Sequence, residues 1–201
     1  SNNLRAVEIS GSSINSTNVG INAQDMSSSG VPATHLNVSN TSVDNTASGS
    51  QAINLANPDA DVNIDSGTSI DQAGTGIFID ADANHNIDIT NIEVNGTSSG
   101  VDITDVTDSS DMAVNVTDST FTNNDGAGLN YSDTDSNNVD TQLNVHFNTF
   151  ENNDAGIGVD DGGDQFQGTF NATFNDFVSN TVGLDVPSAL DDDGEVGVVN
   201  A

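Results

Sequence analysis

The chain has 201 residues, 33% of them apolar and 4% aromatic, and its 31 acids face a single base, Arg5, for a formal charge of −30. Nucleic-acid binding through phosphates needs Lys and Arg and is close to excluded; anionic membrane surfaces are disfavoured for the same reason. There is no cysteine for disulfides, thiolate chemistry or a Cys-based zinc site, and no run nears the roughly 18 apolar residues of a membrane span. So apolar-poor a chain orders only in a fold that economises on core residues, and a solenoid does so because each thin coil buries its face against the next.

One pattern recurs from end to end. Each coil opens with two apolar residues flanking a polar one, adds a third apolar residue, and after a Gly or Asn turn ends on a second apolar-x-apolar pair. The first coil reads Val7, Ile9, Ile14, Ile21, Ala23; the second Leu36, Val38, Val43, Ile53, Leu55; the third Val62, Ile64, Ile70, Ile77, Ile79. Then come Ile87, Ile89, Val94, Val101, Ile103 and Val114, Val116, Phe121, Leu129, Tyr131. The last two are Leu143, Val145, Phe150, Ile157, Val159 and Phe170, Ala172, Phe177, Leu184, Val186. First positions lie 29, 26, 25, 27, 29 and 27 residues apart, and Val196 begins another coil 26 further on. Period-2 pairs predict short strands with alternate residues inward. A period near 27 is too short for βαβ units and holds no 3.6-residue pattern. The expectation is therefore all-β: a parallel β-solenoid of seven coils of about 25–29 residues, three short strands each, forming a single domain over 1–201.

Two columns reinforce the stacking. Gly20, Gly76, Gly100, Gly128, Gly156 and Gly183 each precede the second pair, which implies a positive-φ turn or a tight bend. The residue inside the first pair is Glu8, Asn37, Asn63, Asp88, Asn115, Asn144 and Asn171 in turn. Asn at five of these seven places predicts an amide ladder along an exposed sheet face. The inward stack includes Phe121, Phe150, Phe177, Ile157 and Val159.

The variable segments closing each coil hold 18 of the 31 acids in 65 residues, about twice their share, so charge gathers on one edge of the rod. That edge is either a solvated face or a binding face. Within it Asp80, Asp82, Asn84 and Asn86 space oxygen donors like a calcium loop, although His85 stands where the turn Gly belongs and Asn91 where the closing Glu belongs. Looser acidic groups are Asp133, Asp135 and Asn137; Asp160, Asp161 and Asp164; and Asp191, Asp192, Asp193 and Glu195. No cofactor is required; calcium is the one left open. With 27 Asp in the chain, carboxylate pairs suited to glycoside cleavage arise by chance. His35, His85 and His146 fall in alternate coils, about 10 Å apart and too far to share a zinc. No G-x-S-x-G elbow or phosphate loop is present, so no catalytic residue is assigned.

Phe121-Thr-Asn-Asn, Phe150-Glu-Asn-Asn and Phe177-Val-Ser-Asn, each leading into a Gly-containing apolar pair, resemble right-handed parallel β-helix repeats of the pectate-lyase-like superfamily, especially its surface adhesin passenger segments. The resemblance spans the chain at the level of the repeat and is sharpest over 112–186. It implies a right-handed winding and an Asn-bearing turn at Asn124, Asn153 and Asn180. Asp160-Asp161-Gly162 superficially resembles the paired Asp of polygalacturonase-type hydrolases, but the accompanying Gly-His-Gly and Arg-x-Lys motifs are absent, as is the Arg or Lys base of the lyases.

The chain starts at Ser1 and has no amphipathic cap ahead of residue 7. Both ends are expected to be open, as in a fragment of a longer solenoid or a protomer that stacks head to tail. The functional expectation is a non-catalytic extracellular or cell-surface rod, structural or adhesive, with itself or a surface polysaccharide or matrix as partner. The alternatives are a polysaccharide-binding or polysaccharide-cleaving domain working along the acidic edge, and a calcium-dependent matrix module.

Overall fold

A computed structural model describes residues 6–24, 34–45, 47, 49–56, 60–72, 74–81, 86–105, 113–133, 141–160 and 168–186. Each coil supplies three strands. Coil 1 has Ala6–Ser10 (β1), Ser13–Ser16 (β2) and Ile21–Gln24 (β3); coil 2 has Thr34–Ser39 (β4), Ser42–Asn45 (β5) and Gln51–Ala56 (β6). Coil 3 has Ala60–Asp65 (β7), Ser69–Asp71 (β8) and Thr75–Ala81 (β9); coil 4 has Asn86–Thr90 (β10), Glu93–Asn95 (β11) and Ser99–Asp105 (β12). Coil 5 has Ala113–Thr117 (β13), Thr120–Thr122 (β14) and Ala127–Asp133 (β15); coil 6 has Thr141–His146 (β16), Thr149–Glu151 (β17) and Ala155–Asp160 (β18). Coil 7 has Gly168–Thr173 (β19), Asp176–Val178 (β20) and Val182–Asp185 (β21). Among the described residues there is no helix.

First, second and third strands assemble into three seven-stranded sheets, A, B and C, each ordered coil by coil and parallel throughout. The register follows the repeat. In sheet A, Val7 pairs with Leu36, Leu36 with Val62 and Val62 with Ile87, and the column continues through Val114 and Leu143 to Phe170. In sheet B, Ile14, Val43, Ile70, Val94, Phe121, Phe150 and Phe177 stack in turn. Sheet C aligns Ile21, Ile53, Ile77, Val101, Leu129, Ile157 and Leu184. Because side chains alternate in and out along a strand, one register slip would expel a whole column, so the pattern fixes the pairing.

Every inward position of the seven coils lies in the core or packs against it. The core also takes Ala52 and Ile92, which the repeat did not designate. Phe121 stacks on Phe150 with ring centroids 5.1 Å apart, and Phe150 on Phe177 at 5.4 Å. Such spacings are the strand separation expressed in side chains.

The glycine column is not a column of positive-φ turns. Positive φ occurs at Gly11, Gly49, Gly67 and Gly96, none of them in the column. The column instead lines the inner corner against sheet B's large side chains. A Cβ on Gly128 would lie 2.6 Å from Phe150 Cδ1, and one on Gly156 2.5 Å from the Gly183 carbonyl oxygen. Steric room excludes a methyl at Gly20, Gly76, Gly100, Gly128 and Gly156, whereas Gly183 has no neighbour nearer than 3.5 Å and coil 2 carries Ala52.

Left-handed backbone belongs to the corners. Between sheets A and B it occurs at Gly11, Asn40, Ser66, Gly67, Asn91, Asp118, Phe147 and Phe174; between B and C, at Gly49, Gln72, Gly96, Asn123, Asn152 and Ser179. Most of these are residues that tolerate it. Phe147 and Phe174 are not.

Candidate functional site

The polar side chains form columns, and the first question is what those columns already bond to. On the outside of sheet A, residues Glu8, Asn37, Asn63, Asp88, Asn115, Asn144 and Asn171 stand in register. Asn63 Nδ2 donates to Asn37 Oδ1 (3.1 Å), Asn115 to Asp88 (2.7 Å) and Asn144 to Asn115 (3.0 Å). Similar links join Asn95 to Asp71 on sheet B (3.0 Å) and Asn130 to Asp102 on sheet C (3.0 Å). In each, the amide of the later coil donates to the earlier one. A carboxylate can only accept, so an Asn one rung above Asp71, Asp88 or Asp102 supplies the donor it needs.

Asn124 and Asn153 are buried, at 3% exposure each, and Asn180 is half-buried. They are not the left-handed residues of their turn, which are Asn123, Asn152 and Ser179; each follows one of those and points inward. The Asn124 amide donates to Asn153 Oδ1 (2.8 Å), which also accepts the Asn124 backbone N–H (3.0 Å). Asn153 repeats both bonds to Asn180, at 3.1 and 2.9 Å. The same Nδ2 atoms reach back to the carbonyls of Phe121 (from Asn153, 3.0 Å) and Phe150 (from Asn180, 2.8 Å). Buried corner backbone that no strand ladder could serve is thereby paired. Between the amides themselves the donation runs toward the later coil, opposite to the outer ladder.

A second inner column went unread in the sequence. Asn148 donates its backbone N–H and its Nδ2 to Asn175 Oδ1, both at 3.0 Å, while Asn148 and Asn175 reach the carbonyls of Val116 and Val145, both at 2.8 Å. Ser119 sits one rung earlier and gives its backbone N–H to Asn148 Oδ1 (2.9 Å). The available signal was parity: Ser119, Asn148 and Asn175 each stand two residues before a stacked Phe, hence on the inward face.

The remaining candidates are dispersed. Asp80 is half-buried in β9, Asn86 is exposed at the start of β10, and Asp82 and Asn84 lie outside the described residues. The looser acidic groups also lie outside them, apart from the strand-end residues Asp133 and Asp160, as does Asp161. His35 pairs with Asp61 (Nδ1 to Oδ2, 3.4 Å), His146 bonds Thr173 (2.5 Å), and His85 is not described. Among the described residues no three His, Asp or Glu side chains converge to hold a metal ion. Asp44 and Asp71 face each other in register across β5 and β8, and one Asp44 carboxylate oxygen is buried without a hydrogen-bond partner.

The exposed large apolar side chains among the described residues are Phe147, Phe174, Val178 and Val182. All four lie in coils 6 and 7, on the outside of sheet B or at its corners. In comparison with known proteins, no family model, no curated protein and no solved structure matches the chain.

Proposed function

We propose that this chain is a non-catalytic extracellular or cell-surface rod, structural or adhesive, that stacks end to end with further copies. The observation that supports it is what the polar columns bond to: along all three sheets and at the inner corner their side chains are engaged in coil-to-coil bonds rather than gathered around a site. From coil 2 to coil 6 the inward stack is buried, with most side chains fully closed off from solvent. A parallel ladder of this kind is extended by a further copy that continues the same columns, and head-to-tail contacts of that sort generate an open filament.

The finer assignment, a right-handed helix of the pectate-lyase-like type close to adhesin passenger segments, rests on the Phe-x-x-Asn coils and on the usual hand of parallel crossovers. Negative-stain microscopy of the purified chain, with and without millimolar calcium, tests the proposal. Filaments whose axial repeat is near seven coils at about 4.8 Å each are the expected result. Short, monodisperse rods at every concentration would remove the fibre reading. Filaments only with calcium would assign the acidic edge a metal-dependent part in assembly.

A further inference from the structure

The corner between sheets A and B needs a left-handed residue in each coil, and Asn40, Asn91 and Asp118 show what fits there with little strain. Coils 6 and 7 use Phe147 and Phe174 instead, at φ 58° and 56°. Neither ring is buried: the two residues are 58% and 69% exposed. Their rings stack, with centroids 5.1 Å apart and planes within 4°. Folding therefore gains little from either residue, while the backbone is strained and a broad apolar surface is left in water. Strain combined with an unburied aromatic pair points outward, to something that the corner holds.

The column supplies the chemistry of that partner. Asp118, Phe147 and Phe174 occupy successive rungs, since the Asp118 N–H donates to the His146 carbonyl (3.2 Å) and the Phe147 N–H to the Thr173 carbonyl (3.3 Å). Phe174 covers one face of the Phe147 ring. One rung earlier in the same column stands Asp118, an exposed carboxylate. Asp154 and Asp176, in the same two coils, are exposed as well, and the chain has no Lys and only Arg5 to oppose its charge. An acidic flank is repelled from such a surface, whereas a basic partner is steered to it. A planar guanidinium fits both halves of the arrangement: it stacks on a ring face and forks hydrogen bonds to a carboxylate.

We propose that Phe147, Phe174 and Asp118 form a docking corner for an arginine-bearing segment of a basic partner protein. The guanidinium lies on the open face of Phe147 and donates to the Asp118 carboxylate. This goes beyond the structural rod by giving it a lateral partner, and it does not depend on end-to-end assembly.

The test is calorimetric titration of the whole chain with an acetylated hexa-arginine peptide at physiological salt, where diffuse surface attraction is screened beyond about 8 Å, with hexa-lysine as the control. Wild-type protein is expected to bind hexa-arginine at least tenfold more tightly than hexa-lysine. Phe147→Asn, which installs the residue that coils 2 and 4 use at this place, should melt no lower than wild type and should lose at least tenfold in hexa-arginine affinity. Asp118→Asn, which leaves both rings in place, should lose a similar factor. Unchanged hexa-arginine binding in Phe147→Asn, or equal binding of the two peptides by wild type, would reduce the attraction to net charge and overturn the proposal. Binding of a neutral oligosaccharide that Phe147→Asn abolishes, with no arginine preference, would overturn the choice of partner.

Discussion

Replacing Asn153 by Ala separates the two kinds of amide column. Its Nδ2 serves the Phe121 carbonyl, and its Oδ1 accepts both the backbone N–H and the Nδ2 of Asn124. The substitution therefore strands three polar groups beside a residue only 3% exposed. Each buried orphan costs about 1–3 kcal/mol, so the loss comes to about 3–6 kcal/mol once the backbone has relaxed. For a domain of this size that corresponds to a fall in Tm of roughly 6–24 °C. Asn144→Ala on the outside of sheet A removes one amide bond to Asn115, but water reaches the half-buried site, and the cost is about 0.5–1 kcal/mol. Urea unfolding followed by far-UV circular dichroism reads both from the shift in midpoint at constant m. If Asn144→Ala costs as much as Asn153→Ala, or Asn153→Ala costs under about 1 kcal/mol, the assignment of the inner column as the corner's backbone partner is wrong.

Other outcomes follow from the same packing. Ile157→Asp places an unpaired charge in a fully buried sheet C column and should cost about 3–5 kcal/mol; an unchanged Tm would defeat the placement. Gly128→Ala forces a Cβ to 2.6 Å from Phe150 Cδ1 and should lose about 1–3 kcal/mol by overpacking. Gly183→Ala has its nearest neighbour at 3.5 Å and should stay within about 0.5 kcal/mol of wild type; denaturant titration of the pair checks that room, rather than φ, selects glycine. Asp44→Asn relieves a like-charge pair with Asp71 and should stabilise by about 0.2–1 kcal/mol, with the gain shrinking as salt is added.

The strands were legible because burial on one face of a short strand leaves a period of two, and isoleucines, valines and phenylalanines hold that period through all seven coils. What lay at the corners was harder to read. The glycine column was visible as a column, but its reason was not, because a forbidden Cβ contact depends on Phe150 or Gly183 one coil away rather than on local turn chemistry. The column of Thr41, Thr68, Ser119, Asn148 and Asn175 changes residue type along its length and is interrupted by Ile92, so no single identity repeats. Phe147 and Phe174 look like core residues in a sequence; only the left-handed backbone of their turn turns them outward. Function was the least legible, since many of the Asn side chains among the described residues are occupied in stabilising the stack, and the acidic segments between coils are the most variable in sequence.

Small-angle X-ray scattering across a concentration series tests the central claim, end-to-end growth of a rod, most directly. The account predicts a cross-sectional radius that stays constant while the length increases in steps of one protomer, about seven coils at 4.8 Å. A cross-section that widens with concentration, or a length fixed at one protomer throughout, would contradict it.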